Sequence, residues 1–173
     1  MATTTTNPLA FGQFPSIGDF LNAYRISEKE SFAQSLQQFN LERQAAMLAK
    51  PRNLAEIEAV LVRREPDDLD ANGGQHYRLI VTVTATDQAD PAIGADVTDC
   101  LETKRAVFVA IRFGDAMGVQ GAIEGLEVGA KLHLKGEWIT RDQAQSHGGE
   151  QLSVLHFTHH PVGFVCTPMA CYS

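Results

Sequence analysis

The sequence predicts a mainly β domain, a small closed barrel of five strands with a helical extension before it. From residue 54 onward the apolar residues recur with a period of two, which is typical of strands. Five such segments are separated by stretches rich in Gly, Asn, Asp and Pro, which mark turns. A length of 173 residues suits one domain with an appendage. A β-sandwich would usually need about seven strands or more.

The residues before the barrel are predicted to form a flexible tail (1–14), rich in Thr, and a helical extension (15–51). In the extension, Ser27 and Glu30 have the spacing of a capping box. Apolar residues then recur every three or four positions until a proline ends the pattern. The helix is interpreted either as packing on its own domain or as docking to a protein partner through residues 27–50.

The barrel is predicted over residues 52–161, and residues 162–173 are predicted to be a C-terminal tail. The alternating segments that predict its strands are 54–64, 76–86, 104–113, 130–140 and 151–160. An acidic loop (65–74) and a long polar connection (87–103) separate the first three strands. The glycine-rich residues 115–126 predict a short helix or an irregular linker in the third connection. This is the element order of the OB-fold, a five-stranded Greek-key barrel.

The segment between the third and fourth strands resembles a known family. A strand ends in Phe113-Gly114, a small-residue stretch follows, and Leu126-Glu-Val-Gly129 leads into an alternating strand with a central Gly136. Over residues 54–158 the chain is similar to bacterial single-stranded-DNA-binding proteins and their OB-fold relatives. The resemblance implies non-catalytic binding of single-stranded nucleic acid, and we expect single-stranded DNA and a homo-oligomer.

The binding face of such a barrel lies mainly across its second and third strands, with cations for phosphates and aromatic rings for bases. In the third strand, one alternating row places Phe108 between Lys104 and Arg112. The family's Phe-Gly would instead put the row that ends in Phe113 on this face. That choice would bury two cations, which costs free energy, so the polarity of the residues favours the Phe108 row.

Eight residues are predicted to bind nucleic acid through phosphates or bases. They are Arg78, Lys104, Phe108, Arg112, Lys131, His133, Lys135 and Trp138. Trp138 has a second interpretation, because a lone Trp after a strand glycine is often a core residue. Basic residues opposite an apolar row are also common on a solvated outer face.

The formal net charge of −7 is concentrated in one region. Residues 51–103 hold four basic and eleven acidic residues, while the segments on either side are balanced. The acidic excess argues against a protein whose whole surface is positively charged, although a local basic face remains compatible with it. The alternative function is therefore a protein–protein interaction module or assembly factor that does not bind nucleic acid.

The sequence gives little support for metal binding, catalysis or membrane insertion. Three histidines (156, 159 and 160) and two cysteines (166 and 171) lack the spacing of a zinc site, so no metal or cofactor is predicted. No nucleophile elbow or phosphate loop is present, so an enzyme is not expected. The lack of an apolar run of about 18 residues predicts no membrane span. Three cysteines and no secretory signal predict a cytoplasmic protein without a disulfide framework.

Overall fold

The structure, a computed structural model, describes residues 53–69, 74–114, 119, 121–144, 150–159 and 162–173. The predicted tail (1–14) and helical extension (15–51) lie outside these residues. The strands are β1 (Leu54–Leu69), β2 (Gln75–Ala89), β3 (Val107–Phe113), β4 (Lys131–Ile139), β5 (Ser153–His156), β6 (Phe164–Cys166) and β7 (Cys171–Tyr172), and the helix is α1 (Gly94–Thr103).

Strands β1 to β5 form a closed barrel, which confirms the predicted fold class. The hydrogen-bonded order is β1-β2-β3-β5-β4, and β1 pairs again with β4 to close the sheet on itself. The β3–β5 pairing is parallel and the others in the barrel are antiparallel. This arrangement is consistent with an OB-fold-like barrel.

The alternating residues of the strands fill the barrel. Members of the core that are fully buried include Ile57, Leu61, Leu79, Val81, Ile111, Leu134 and Leu155. Trp138, at the end of β4, is also part of this core. Burial of these side chains is the main stabilising contribution to a small barrel.

Gly136 lets two backbones approach closely at the centre of β4. A Cβ atom built there would overlap the carbonyl oxygen of His156 in the neighbouring β5. The sequence predicts that a glycine is needed here for barrel curvature, and the structure adds the contact that a side chain would disrupt.

We expect Gly136→Ala to lower the free energy of unfolding by about 1–3 kcal/mol, because β4 and β5 must separate to admit a methyl group. The matched control is Gly121→Ala, since a Cβ at Gly121 would meet nothing within 4 Å. The control should stay within about 0.5 kcal/mol of the parent chain. Urea denaturation followed by circular dichroism measures both, and equal stability of the two variants would contradict the close approach.

Helix α1 lies between β2 and β3, in the stretch predicted to be a polar connection (87–103). That prediction was wrong because the helix is short and its few apolar residues stand among acidic and polar ones. Ile93, Val97 and Cys100 recur at helical spacing and are buried in the barrel core. In the third connection, the described residues of 115–126 form no helix, and the linker interpretation holds for them.

Strand β1 continues to Leu69, through residues that the sequence assigns to an acidic loop. Glu65 pairs with Arg78 of β2, and Asp68 pairs with His76. The loop prediction failed because polar residues can extend an exposed hairpin when the partner strand offers complementary side chains. Register shifts in the β1–β2 ladder also break the alternation on which the prediction depends.

The predicted C-terminal tail (162–173) contains β6 and β7, which extend the sheet from β4. Its apolar residues fall in two short groups on either side of Thr167-Pro168 and do not alternate with polar ones, so the sequence pattern did not indicate strands. Cys166 lies opposite Cys171 in this hairpin, and the two form a disulfide with a Cα–Cα distance of 3.9 Å. The sequence predicts no disulfide framework and did not indicate this local bridge, whereas Cys100 is free and buried. Among the described residues, no helix is both long enough and apolar enough to cross a membrane.

Candidate nucleic-acid interface

The orientation of β3 decides between the two rows that the sequence left in conflict. Val107, Val109 and Ile111 are each 0% exposed and belong to the barrel core. Phe108 and Arg112 therefore point to the outer face, as the polarity of the sequence predicts. The row that ends in Phe113 does not form the outer face.

Three side chains that can carry positive charge meet on the outer face of β2 and β3. His76 lies directly opposite Arg112 in the β2–β3 register, and Arg78 lies opposite Ala110, one pair along. All three are half-buried. We call His76, Arg78 and Arg112 the basic patch. It lies on the two strands that carry the ligand-binding face in OB-folds.

Phe108 does not offer an open ring to a base. It is 4% exposed and belongs to a second apolar cluster with Ile80, Ala144, Leu152 and Val154. Residues of the β4–β5 connection cover the ring, which the sequence could not show because they are distant in the chain. The guanidinium of Arg78 lies 5.8 Å from the Phe108 ring centroid, so the ring supports a cation of the basic patch.

Trp138 was predicted either to bind nucleic acid or to be a core residue, and the structure places it in the core. It is 2% exposed, and its indole N–H donates a 2.8 Å hydrogen bond to Asp96 of α1. Asp96 also accepts hydrogen bonds from Ser153 at 2.6 Å and from Arg105 at 2.8 Å. Burial would raise the pKa of Asp96, but these hydrogen bonds and the charge of Arg105 together lower it. We call Asp96, Arg105, Trp138 and Ser153 the Asp96 cluster, and it fixes α1 to the barrel.

Lys104 is not part of the β3 row. It caps α1 in the left-handed conformation, with a φ of 57°, and β3 begins only at Val107. The next cation along the chain, Arg105, is used by the Asp96 cluster and by a 3.0 Å hydrogen bond to Asp99. The predicted pair of cations on either side of Phe108 is therefore reduced to Arg112.

Lys131, His133 and Lys135 point outward from β4, since Leu132 and Leu134 point into the core. They lie between β1 and β6 in the sheet, away from the β2–β3 face. Lys131 is exposed, but His133 and Lys135 are 8% and 6% exposed. These three predicted residues do not join the basic patch, because β1 on one side and β5 on the other separate β4 from it.

Acidic residues border the basic patch. Glu65 and Asp68 are the β1 partners of Arg78 and His76. Glu65 also accepts a 2.7 Å hydrogen bond from Arg63, whose side chain is 58% exposed. The face therefore carries both signs of charge, with Glu65 and Asp68 on β1 beside the basic patch on β2 and β3.

We compared the chain with protein-family models, curated proteins and solved structures. None of the three comparisons found a match. The similarity to single-stranded-DNA-binding proteins therefore stays a prediction from the sequence.

The sequence missed an aromatic stack at one end of the barrel, on the inward rows of β2 and β3. The rings of Tyr77 and Phe113 are 3.8 Å apart and nearly parallel, and the Arg64 guanidinium lies 4.8 Å from the Tyr77 centroid. Phe113 pairs with Gln75, so it is a diagonal neighbour of Tyr77 across the two strands. The family's Phe-Gly pointed to Phe113, but its place at the barrel end became clear only from the register.

Proposed function

We propose that this chain binds single-stranded nucleic acid across the outer face of β2 and β3 without catalysis, with single-stranded DNA as the ligand that the family resemblance implies. The observation that carries the proposal is the basic patch, where Arg78 and Arg112 stand on neighbouring strands of a closed five-stranded barrel. Guanidinium groups bind phosphate oxygens through paired N–H donors. Two such groups on one face suit two phosphates of one strand.

The apolar cluster behind the patch supports this role. Phe108 lies under the Arg78 guanidinium and is itself held by Ile80 and by the β4–β5 connection. A guanidinium that rests on a fixed ring loses less conformational freedom when it binds a phosphate. In this proposal Phe108 is a positioning residue for the Arg78 guanidinium.

The acidic border predicts a preference for single strands. A single strand can follow the cations of β2 and β3, whereas a duplex would bring a second row of phosphates toward Glu65 and Asp68. Like charges at that distance repel, and the repulsion is strongest at low salt. We therefore expect this face to bind single strands more tightly than duplexes, which a uniformly positive surface would not do.

The acidic border also favours the alternative function, a protein–protein interaction module. The β1–β2 hairpin carries complementary charges of both signs, Arg63 with Glu65 and Arg64 with Asp67 at 3.3 Å. Mixed charge of this kind is common on protein-binding surfaces. In this alternative a protein partner binds this hairpin or residues 27–50, and the chain does not bind nucleic acid.

Fluorescence anisotropy with a labelled single strand and the matching duplex tests the proposal at about 50 and 200 mM salt. Two phosphate contacts predict a slope of about −1.4 in log K against log salt, so affinity should fall about sevenfold over this range. The single strand should bind more tightly than the duplex. Absence of binding at the lower salt concentration, or an affinity that does not change between the two concentrations, would overturn the proposal and favour the protein-interaction alternative.

A further inference from the structure

We propose that Glu56, Asp87 and His133 form a binding site for a divalent transition-metal ion, with Zn²⁺ as the metal that suits the site best. The three residues lie on β1, β2 and β4, which are neighbours in the barrel. One ligand atom from each falls within 4.8 Å of the others. This site is separate from the basic patch and does not depend on the proposed function.

Two of the three spacings between the ligand atoms are close to those around a small tetrahedral ion. His133 Nε2 lies 3.1 Å from Glu56 Oε2 and 3.5 Å from Asp87 Oδ2. Zinc binds nitrogen and oxygen ligands at about 2.0–2.2 Å, which places neighbouring ligand atoms of a tetrahedron about 3.3–3.6 Å apart. The ion would take the place of the proton between His133 and Glu56, and the imidazole would carry its remaining proton on Nδ1.

Burial of two of the three side chains supports a site rather than a solvated pair. Glu56 is 5% exposed and His133 is 8% exposed, although both point away from the barrel core. The ligand atoms of Glu56 and His133 are therefore held together in a setting of reduced solvation, where a bound cation is screened less than at the surface.

The ion could reach the site from the His133 side and from the Asp87 side. A cleft of about 530 Å³ lies along β1 and β4 and is lined by His133, by Glu58 and by Thr84 of β2. Asp87 is 36% exposed in its side chain, so one edge of the cluster faces solvent. Three protein ligands and an open position are the arrangement in which zinc keeps a water molecule.

The donor set decides which metal is expected. One imidazole and two carboxylates suit first-row transition metals, whereas Ca²⁺ and Mg²⁺ prefer oxygen ligands alone. Lys135 lies opposite Glu56 in the β1–β4 register and is 6% exposed. Its ammonium group competes with a metal for Glu56, so an ion-pair cluster without metal is the outcome to be distinguished.

The test uses the full chain without a polyhistidine tag, freed of metal with a chelator and titrated with ZnCl₂ against a zinc-binding dye. We expect one ion per chain for the parent. Asp87→Asn and His133→Gln should each weaken binding about tenfold or more, since each loses a direct ligand. Asp87→Asn is the more informative variant, because Asp87 is partly exposed and its replacement is compatible with folding.

Two matched controls separate this site from adventitious binding. His156→Gln removes a histidine that also lies near a carboxylate, with its Nε2 3.8 Å from Glu137 Oε1. Asp142→Asn removes an exposed carboxylate in the turn after β4. Both should bind zinc like the parent chain.

A second readout is thermal stability, because an ion that ties three strands together stabilises the folded state. At a zinc concentration about 100 times the dissociation constant, the melting temperature of the parent should rise by about 5–10 °C. The shift should fall to about half or less in Asp87→Asn, whose dissociation constant is expected to be at least tenfold higher. Equal zinc affinity of the parent and Asp87→Asn, or no binding by the parent at micromolar zinc, would overturn the proposal and leave an ion-pair cluster.

Discussion

The double substitution Arg78→Glu/Arg112→Glu is expected to weaken binding of a single-stranded oligonucleotide by about 100-fold at low salt. Each arginine would lose a charge-assisted hydrogen bond to phosphate, worth about 1.5–3 kcal/mol, and each factor of ten corresponds to about 1.4 kcal/mol. Each glutamate also adds repulsion. The salt slope should fall toward zero, because the two proposed phosphate contacts are gone.

The control for this experiment is Lys104→Glu/Lys131→Glu, which changes the net charge by the same amount. Lys104 caps α1 and Lys131 begins β4, so neither lies on the basic patch. Both are exposed, and their charges are screened over distances beyond about 10 Å at 0.1 M salt. We expect this control to change affinity by about threefold at most. An equal loss in both double variants would mean that net charge, and not the basic patch, governs binding.

Trp138→Ala is expected to lower the free energy of unfolding by about 3–5 kcal/mol, as large-to-small changes of aromatic core residues do. Trp138 is 2% exposed, and its loss would leave a cavity beside α1. It would also remove one of the hydrogen bonds that Asp96 accepts. If the variant does not fold, a second variant keeps the prediction measurable.

That second variant, Trp138→Phe, keeps an apolar ring but removes the indole N–H. We expect a loss of about 1–2 kcal/mol, from the missing hydrogen bond and from a smaller reduction in buried volume. Trp138 is the single tryptophan of the chain, so unfolding must be followed by circular dichroism rather than fluorescence. A cost below about 1 kcal/mol for Trp138→Ala would contradict its place in the core.

The fold class could be predicted because the barrel strands bury one face and expose the other. In β3, the alternation of Val107, Val109 and Ile111 with more polar residues identifies the inward row without any tertiary information. The same alternation placed Leu132 and Leu134 of β4 in the core. Elements without this contrast were missed, such as α1, whose buried Val97 and Cys100 stand among acidic residues, and β6, which is apolar throughout.

The candidate site could be predicted only in part. Arg78 and Arg112 were selected because cations opposite an apolar row must reach solvent, and the structure places both on the outer face. Phe108 was selected because it lies in the same alternating row as Arg112, but the β4–β5 connection covers its ring. The sequence had no means to predict that cover, because Ala144 and Leu152 belong to a segment whose path depends on the closed barrel.

The sequence by itself determined the five-stranded barrel and the inward rows of β2, β3 and β4. Each of these follows from interactions between residues close in the chain, or from the strict alternation that a half-buried strand imposes. The tertiary structure alone decided which outward residues meet. The pairing of His76 with Arg112, the cover over Phe108 and the convergence of Glu56, Asp87 and His133 depend on register and on barrel closure. Register sets contacts between residues far apart in sequence, and a pattern read along one strand carries no information about the strand beside it.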